Sequence, residues 1–561
     1  MANTPTESVP LSGQAGDDRL FPALTPEQIE RLDALGHRRL LTANEALVEP
    51  GMPTASIFIV LRGALVILRP SGDDEAMVAR IETGRFSGEV SLLAGQPSMV
   101  TIRAAEPSEV IEIARERVLN VIKTDSELSD LFMRVFLMRR VELMTRHIGD
   151  VVVIGSNRNA DMLRIREFLE RNNHPYVEVD ADVDPDVQTV LDHFDVKLKD
   201  LPVLICRGRD VLRNPTNLEI ADCLGLNVAI DTTDVRDLVI VGAGPSGLAA
   251  AVYGASEGLR VLMLETSAPG GQAGTSSKIE NYLGFPTGIS GQRLAARAIF
   301  QARKFGAEIM VARPALELRC ARRPFEIRLG EGASVMARAI VIATGAEYRK
   351  PSVSGAMRFE NVGLYYSATH MESRLCQDEE VIVVGGGNSA GQAAVYLASS
   401  GARHVHMLVR SEGLAETMSA YLIQRIEQHP RITLRVRTEI VGFEGDRHLE
   451  LVTWRDGSGQ TDRRPIRHVF FMAGATPHTK WLDGCIALDD KGFIKTGPEL
   501  SKEDLEAAHW PLDRSPYLLE TSLPGVFAAG DVRCGNMKRV ASAVGEGSMA
   551  VAFVHRALRE M

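Results

Sequence analysis

The sequence predicts a multidomain protein: a β-roll with helices, a small α/β domain, and two three-layer α/β domains, one of them inserted in the other. The chain has 561 residues, whereas one domain holds roughly 100 to 200. Short apolar stretches separated by turns precede a long helical pattern near the amino terminus. From Asp237 onward, strand, glycine-rich turn and helix follow one another twice, at 237–265 and 380–410. Several hydrophobic cores are therefore expected.

Segment boundaries follow from these patterns. The strand-like runs 340–346 and 525–531 flank the second strand–turn–helix unit, so we expect them to belong to one split domain. Residues 1–18 lack a basic start followed by an apolar stretch, which indicates a disordered tail. The predicted segments are the tail (1–18), the β-roll domain (19–149), the small α/β domain (150–230), the first α/β domain in two parts (235–350 and 490–561), and the inserted α/β domain (351–489).

The composition is that of an ordinary soluble protein, with 45% hydrophobic and 24% charged residues. A formal net charge of -10 argues against nucleic acid or a membrane surface as a partner. The only long uncharged run, 238–256, contains a glycine and proline cluster that would break a membrane span. We therefore expect a cytoplasmic protein without a membrane segment.

The six cysteines are scattered, and no two of them are separated by two residues. This spacing excludes a Cys-x-x-Cys redox pair and a zinc knuckle, and no metal site is expected. Free cysteine usually behaves as a small hydrophobic residue, so we expect buried, inert thiols. The six are Cys206, Cys223, Cys320, Cys376, Cys485 and Cys534.

The first strand–turn–helix unit, 237–265, carries a Rossmann-like dinucleotide-binding pattern. Gly242, Gly244 and Gly247 lie between an apolar strand and an alanine-rich helix. The first glycine permits a tight turn, the second lets the backbone approach a pyrophosphate, and the third lets helix and strand pack closely. The phosphate then lies at the helix amino terminus. Glu265 ends the second strand, where an acid accepts hydrogen bonds from ribose hydroxyls.

Four further motifs accompany this unit: GGQ (270–272), ENYLGFP (280–286), ATG (343–345) and the long segment 524–550. Together they resemble thioredoxin reductase and its flavoprotein relatives from Asp237 to the last residue. The resemblance implies FAD as the cofactor, with the segment around residue 531 closing over its ribityl chain and ring. The residues assigned to FAD are Gly242, Gly244, Pro245, Ser246, Gly247, Glu265, Gly271, Gln272, Asn281, Gly345, Gly530, Asp531, Arg539 and Val540.

The second unit, 381–410, repeats the pattern as G-x-G-x-x-A. Two such sites in one oxidoreductase usually divide between a flavin and a nicotinamide. NADP-preferring members of the family carry His-Arg-Arg after this strand, where the chain reads Val409-Arg410-Ser411, and Ala415 replaces a further arginine. No acid ends the strand, so Arg410 favours NADPH, with NADH as the alternative. The residues assigned to the nicotinamide cofactor are Gly385, Gly387, Asn388, Ser389, Ala390 and Arg410.

The redox-active disulfide of thioredoxin reductase is missing. In that family a Cys-x-x-Cys before the second unit takes electrons from the flavin, and the resemblance places Ser367 and His370 at the cysteine positions. A hydroxyl and an imidazole cannot cycle between dithiol and disulfide. His370 is either a proton donor near the flavin or a polar residue without a catalytic role. Cys376 and Cys534 are the alternatives as single thiols.

The segment 84–104, GRFSGEVSLLAGQPSMVTIRA, resembles the cyclic-nucleotide-binding domain. In that family a Gly-Glu pair holds the ribose, and Gly88 and Glu89 match it. The arginine that binds the cyclic phosphate does not match, because Ser98 occupies its place and Arg103 falls on the next strand. Losing such a charge-assisted contact removes roughly 1.5 to 3 kcal/mol. We expect the fold, with a cyclic nucleotide effector or a docking or dimerising role as open alternatives.

The segment 151–228 resembles a thioredoxin- or glutaredoxin-like domain. Its Leu201-Pro202-Val203 stands at the place of the family's cis-proline. The same resemblance places Asn159 and Met162 at the two active cysteines. This domain is therefore expected to be redox-inactive as well.

The leading functional hypothesis is an NAD(P)H-dependent FAD oxidoreductase of the thioredoxin reductase family, with a regulatory amino terminus and an unidentified redox acceptor. Reduction of thioredoxin disulfide would require a non-standard or external thiol. The second enzyme hypothesis is a reductase that passes electrons from the flavin directly to ferredoxin, a quinone or oxygen. The non-enzyme hypothesis is a flavin-based redox or cyclic-nucleotide sensor. The resemblance also implies a homodimer.

Overall fold

The computed structural model of the chain divides into two compact units, Met1–Val228 with Arg303–Ala312, and Ala229–Ala302 with Arg313–Met561. The residues that it describes are 17–52, 55–71, 74–88, 92, 98, 100–145, 151–156, 159–182, 187, 191, 196–206, 210–227, 231 and 234–560. Most of the expected tail lies outside the described residues. Its last two residues, Asp17 and Asp18, instead begin a short helix.

The first unit opens with a β-rich domain. Its strands pair antiparallel in two sheets, one with the order β1-β7-β3 and the other with the order β2-β6-β4-β5. Side chains on the inner faces of both sheets, which include Phe58 and Ile102, share one apolar core. Thr25 and Gln28 form a capping box at the start of α2. The strands are β1 (His37–Leu41), β2 (Ala46–Val48), β3 (Ser56–Arg62), β4 (Ala64–Ser71), β5 (Asp74–Glu82), β6 (Thr101–Ala104) and β7 (Ser108–Ala114). The helices are α1 (Asp17–Leu20), α2 (Pro26–Asp33), α3 (Arg115–Thr124) and α4 (Ser126–Thr145).

A small α/β domain follows in the same unit. Its sheet has the order β11-β10-β8-β9, in which β8 and β9 are parallel and the other pairs antiparallel. The Leu201–Pro202 peptide that precedes β10 is cis, as the sequence predicts. Most of the residues between 183 and 195, which precede β10, lie outside the described residues. The elements are β8 (Val151–Gly155), α5 (Ala160–Arg171), β9 (Val177–Asp180), β10 (Val203–Cys206), β11 (Asp210–Arg213) and α6 (Asn217–Cys223).

The second unit begins with a strand, turn and helix around the first glycine motif. β12 pairs in parallel with β13 on one side and with β17 on the other, and β17, β16 and β15 continue as an antiparallel meander. The elements of this stretch are β12 (Val235–Val241), α7 (Pro245–Ser256), β13 (Val261–Leu264), α8 (Gly271–Gly274), α9 (Gly291–Phe305), β14 (Glu308–Met310, in the first unit), β15 (Glu317–Arg319), β16 (Phe325–Arg328) and β17 (Ser334–Ile342).

A second parallel sheet follows, of order β19-β26-β20-β21-β22, with a three-stranded antiparallel sheet beside it in sequence. The antiparallel pair β18 and β27 connects into and out of this region. The elements are β18 (Ala346–Tyr348), β19 (Leu364–Tyr365), α10 (His370–Leu375), β20 (Glu380–Val384), α11 (Asn388–Ser399), β21 (His404–Leu408), α12 (Ala420–Gln428), β22 (Ile432–Arg435), β23 (Glu439–Glu444), β24 (Leu451–Arg455), β25 (Thr461–Arg464), β26 (His468–Phe471) and β27 (Ala475–Pro477).

The chain then returns to the first sheet of this unit. The last elements are α13 (Lys502–Ala507), β28 (Val526–Ala528) and α14 (Val540–Glu560). β28 pairs in parallel with β17, so two chain segments about 190 residues apart share one sheet, as a split domain requires. Within the described residues, no helix has the length and apolar character needed to cross a membrane.

The expectation of buried, inert thiols is wrong for four of the six cysteines. Cys206 pairs with Cys223, and Cys320 pairs with Cys485, with Cα atoms 6.9 Å and 6.0 Å apart. Short-range spacing could not reveal these pairs, because folding brings together residues that are distant in sequence. Cys376 is a buried free thiol, as expected, whereas Cys534 is a free thiol that is only partly buried.

Candidate functional site

The first glycine turn joins β12 to α7 in a close-packed arrangement. Gly242 has φ 103°, and a Cβ there would collide with the backbone of Ala343. A Cβ at Gly247 would collide with the carbonyl oxygen of Gly242. These two glycines therefore have structural roles, as the motif predicts.

Gly244 has a different role, because its surroundings are open. The nearest described atom to a Cβ built there is Gly271 Cα, at 3.9 Å. Gly244 is the N-cap of α7, and no side chain in the described part of the chain caps that helix. The free N–H groups of the helix amino terminus and an open approach over Gly244 together form an anion-binding cradle.

Glu265 follows β13 directly and lies beside this cradle. Its carboxylate accepts hydrogen bonds from the backbone N–H groups of Ala243, at 2.8 Å, and Ser267, at 3.0 Å. These bonds fix the carboxylate at the edge of the glycine turn. It is therefore positioned to accept further hydrogen bonds from a ribose.

The segment after β28 reaches the same helix amino terminus. Ser246 Oγ donates to the carbonyl of Ala529 at 3.3 Å, and a Cβ at Gly530 would collide with the Ser246 hydroxyl. Asp531 comes next, and burial raises the pKa of its carboxyl group. A partly buried carboxyl group in this position suits hydrogen bonds from the hydroxyls of a bound ligand.

Glu546 on α14 is a site residue that the sequence analysis missed. Its buried carboxylate accepts hydrogen bonds from Gly530 N at 2.7 Å, Arg533 Nη2 at 2.9 Å and Asn536 Nδ2 at 2.8 Å. It therefore holds the segment 530–536 over the turn. An acid inside the alanine- and glycine-rich run of α14 was the available signal.

The remaining residues assigned to FAD are placed as follows. Gly271 adopts φ 55° and its Cα faces Gly244, and Gln272 Nε2 donates to the carbonyl of Ala346 at 2.7 Å. No described atom lies within 4 Å of a Cβ built on Gly345. Asn281 and Arg539 are exposed, Val540 begins α14, and Pro245 is the first residue of α7.

The second glycine turn, between β20 and α11, repeats the first. Gly385 has φ 140°, and a Cβ there would lie 2.5 Å from the carbonyl oxygen of Met472. Gly387 is the N-cap of α11, with no described atom within 4 Å of its built Cβ and no side-chain cap among the described residues. Ala390 is buried, and Asn388 Oδ1 accepts a hydrogen bond from Ser419 N at 2.8 Å. A second anion-binding cradle results.

Tyr348 lies near one residue of each predicted nucleotide site, and the sequence analysis missed it. Burial raises the pKa of its phenol, a hydrogen bond with Ser389 opposes that rise, and the Asp531 carboxylate adds to it. One side chain therefore lies close to a residue of each predicted nucleotide site. Its position on β18, between the two sheets in sequence, explains why no motif marks it.

The position of the missing disulfide forms a helix cap. Thr369 N donates to Glu372 at 2.7 Å, and Ser367 Oγ donates to the same carboxylate at 3.5 Å. His370 begins α10, and its side chain lies outside the described part of the structure. Cys376 is buried nearby in sequence, and burial raises the pKa of its thiol. A neutral thiol of this kind is a poor nucleophile.

The amino-terminal domain lacks a phosphate-binding arginine at the expected place. Ser98 is buried, and its hydroxyl bonds to the backbone of Val100 at 2.9 Å. Arg103 on β6 instead forms an ion pair with Glu75 at 3.0 Å. Gly88 has φ 103°, and its carbonyl accepts a hydrogen bond from Arg139, whereas Glu89 lies outside the described residues.

In the small α/β domain, Asn159 and Met162 do not form a reactive site. Asn159 caps α5 through hydrogen bonds from Asp161 N and Met162 N, at 2.7 Å and 3.4 Å. Met162 is fully buried, and its sulfur lies 3.0 Å from a Cβ built on Gly155. Within the described residues, no cluster of His, Cys, Asp or Glu forms a metal site.

A family model described as pyridine nucleotide-disulphide oxidoreductase matches residues 236–547, which is more than half of the chain. The chain belongs to this family. Both glycine cradles, Glu265 and Asp531 lie within the matched region of this pyridine nucleotide-disulphide oxidoreductase. A second model, the cyclic nucleotide-binding domain, matches residues 38–125.

Individual relatives of this oxidoreductase give the same assignment. Thioredoxin reductase of Mycolicibacterium smegmatis is 31% identical over 328 residues, which are 58% of this chain and 97% of that relative. NADPH-dependent thioredoxin reductase 3 of Arabidopsis thaliana is 29% identical over 369 residues, which are 63% of this chain and 65% of that relative.

Two solved structures are similar to the oxidoreductase region. Lactococcus lactis thioredoxin reductase in its FR conformation has a TM-score of 0.52 and 25% identity, and covers 58% of this chain and 100% of its own. Thioredoxin reductase of T. acidophilum has a TM-score of 0.50 and 27% identity, and covers 57% of this chain and 98% of its own. The pyridine nucleotide-disulphide oxidoreductase described here is thus an FAD-dependent NAD(P)H oxidoreductase, and FAD and NADPH are the cofactors of its thioredoxin reductase relatives.

Proposed function

We propose that the chain transfers a hydride from NADPH to FAD and passes the electrons to an acceptor without a Cys-x-x-Cys relay. The observation that carries the proposal is the pair of open, uncapped helix amino termini at Gly244 and Gly387 in one compact unit. FAD supplies the ring that accepts a hydride from the nicotinamide.

The protein's own residues bind and orient the two nucleotides in this proposal. The amino termini of α7 and α11 each donate N–H groups to a pyrophosphate. Glu265 accepts hydrogen bonds from the ribose of the first nucleotide, and Asp531 accepts them from the ribityl hydroxyls. Glu546 holds the backbone of Gly530 in place, so the segment carrying Asp531 stays over the first turn.

The residues at the disulfide position support a direct route to the acceptor. The hydroxyl of Ser367 donates a hydrogen bond to Glu372, a residue that is only 4% exposed and whose carboxylate also caps α10. The nearby thiol of Cys376 is buried and held neutral by its raised pKa. We propose that electrons leave from the flavin itself, to a one-electron carrier, a quinone or oxygen, and that Ser367 and His370 carry no redox chemistry.

Two matched glycine variants test the nucleotide assignment. Gly244 and Gly387 have extended backbone angles that valine also adopts, with φ of -72° and -89°, so Gly244→Val and Gly387→Val should both fold. We expect the first variant to lose FAD, and the second to retain FAD but fail to bleach its flavin absorbance when mixed anaerobically with NADPH. Retention of FAD by Gly244→Val, or normal bleaching in Gly387→Val, would contradict the assignment.

We further propose that residues 19–149 form a regulatory domain and that 150–230 form a thioredoxin-like domain without redox activity. The parallel pair β8 and β9 with the antiparallel β10 and β11 supports the second assignment. Because the Ser98 hydroxyl is bonded to the backbone, we expect no calorimetric binding of cyclic AMP or cyclic GMP at physiological concentrations. The resemblance supports a homodimer, which light scattering would detect.

A further inference from the structure

The loop after β21, residues 409–418, covers the second glycine turn. Thr417 Oγ1 donates to the carbonyl of Gly386 at 2.8 Å. A Cβ built on Gly386 would lie 3.7 Å from Val409 Cγ1. In a dinucleotide-binding unit the end of the second strand meets the adenosine ribose, and its side chains decide between a 2′-hydroxyl and a 2′-phosphate. This loop therefore contains the determinants of nicotinamide cofactor choice.

Arg437 belongs to this loop in space, although it lies far from it in sequence. Its backbone N–H donates to the carbonyl of Ser411 at 3.1 Å, and Thr438 N donates to the carbonyl of Val409 at 2.9 Å. The segment after β22 thus runs alongside 409–411. Arg437 therefore lies next to Ser411. Both Arg437 and Arg410, the residue before Ser411, are exposed.

The guanidinium of Arg437 is bound by an anion of the same loop. Its Nη2 lies 2.5 Å from Glu412 Oε1, and the two side chains are 60% and 83% exposed. Exposed pairs of this kind contribute little to folding stability. The contact with Glu412 instead shows that a negatively charged oxygen reaches the guanidinium of Arg437 beside the loop 409–418.

We propose that Arg437 binds the 2′-phosphate of NADPH and that Glu412 competes with this phosphate for the guanidinium. The proposal rests on the proposed function, because it names a specificity residue of the second nucleotide site. A guanidinium binds phosphate through two parallel hydrogen bonds, and the doubly charged phosphate displaces a single exposed carboxylate. Glu412 thereby weakens the binding of NADPH without abolishing it.

Binding of nucleotide fragments to the full-length protein tests the proposal without any turnover. Isothermal titration calorimetry compares adenosine 2′,5′-bisphosphate with AMP, which lacks the 2′-phosphate. We expect Arg437→Ala to weaken bisphosphate binding roughly tenfold and leave AMP binding unchanged. We expect Glu412→Gln to tighten bisphosphate binding roughly two- to fivefold, again without effect on AMP.

The matched control is Arg463→Ala, which removes another exposed arginine of the same sheet region. Arg463 pairs with Glu444 at 2.5 Å and its side chain is 56% exposed, so its environment is similar to that of Arg437. The control should bind both fragments like the unmodified protein. The proposal would be overturned if Arg437→Ala bound the bisphosphate as tightly as the unmodified protein does. It would also be overturned if the variant lost as much affinity for AMP as for the bisphosphate. Failure of NADPH to bleach the flavin, with fragment binding as expected, would instead overturn the proposed function alone.

Discussion

At the scale of single residues, His468 on β26 is the clearest case of a side chain whose charge state is controlled by its surroundings. Its ring stacks on Tyr365, with centroids 6.0 Å apart. Burial lowers the pKa of the imidazole to about 4, and the positive charges of Arg467 and His448 contribute to the shift. The folded protein therefore holds His468 neutral at pH values where an unfolded chain would protonate it.

This shift predicts a pH dependence of stability. In the unfolded chain the histidine pKa is about 6.5, so the neutral form contributes fully above that pH. The contribution is lost as the pH falls from about 6.5 toward about 4, because only the unfolded state then binds the proton. We expect the free energy of unfolding in urea to fall by roughly 2 kcal/mol from this group over that range. His468→Gln should show a correspondingly flatter pH profile, and an unchanged profile would contradict the assignment.

The site residues that a sequence motif can mark are those whose role is local. Gly242, Gly247 and Glu265 act within one strand–turn–helix unit, so their spacing carries the information. Glu546 was missed because its partners Gly530 and Asn536 meet it only when α14 packs. The Cys320–Cys485 pair was missed for the same reason. Long-range pairs of this kind leave no periodic pattern in a single sequence.

At the scale of elements, the helices α7 and α11 begin in the same manner. Each starts at a glycine, and no described side chain caps either one. Helix starts usually satisfy their free N–H groups with a Ser, Thr, Asp or Asn side chain. In the proposed function, phosphate groups take the place of a cap at both of these amino termini.

The second and third glycines of the first turn should respond differently to alanine. Gly247→Ala places a methyl group against the carbonyl oxygen of Gly242, so we expect the variant to lose at least about 1 to 3 kcal/mol of stability in urea unfolding. Gly244→Ala meets no close described atom and should unfold like the unmodified protein in the absence of FAD. Equal stability of the two variants would contradict the packing described for this turn.

At the scale of the whole molecule, the chain is organised around a domain completed by two distant segments. The sequence predicted this insertion from strand-like runs on both sides of the second unit, and the β17–β28 pairing agrees with it. The order of domains along the chain stays a prediction, made from the hydrophobic periodicity of each segment. The disulfide between Cys320 and Cys485 could not be predicted in this way, although it encloses the inserted sheet in a loop with a sequence separation of 165.

Reduction of this disulfide should destabilise the split domain. Opening a loop of this length restores chain entropy to the unfolded state, which corresponds to about 4 to 5 kcal/mol in the loop-closure model. We expect dithiothreitol to lower the thermal midpoint of the oxidised protein by several degrees. Cys320→Ser should have the lower midpoint and a smaller response to the reductant, because only the Cys206–Cys223 pair then remains to be reduced. Cys376→Ser, which removes a free thiol, should respond like the unmodified protein. An unmodified protein that is insensitive to the reductant would contradict this role.

In the proposed function, this pyridine nucleotide-disulphide oxidoreductase accepts electrons from NADPH on FAD and delivers them without a Cys-x-x-Cys. The most direct measurement is anaerobic stopped-flow absorbance of the FAD-loaded protein, reduced with one equivalent of NADPH and then mixed with either oxidised thioredoxin or ferricyanide. We expect NADPH to bleach the flavin, ferricyanide to restore its absorbance rapidly, and thioredoxin to leave it bleached. Restoration of the flavin absorbance by thioredoxin at a rate similar to that of ferricyanide would contradict the proposed function.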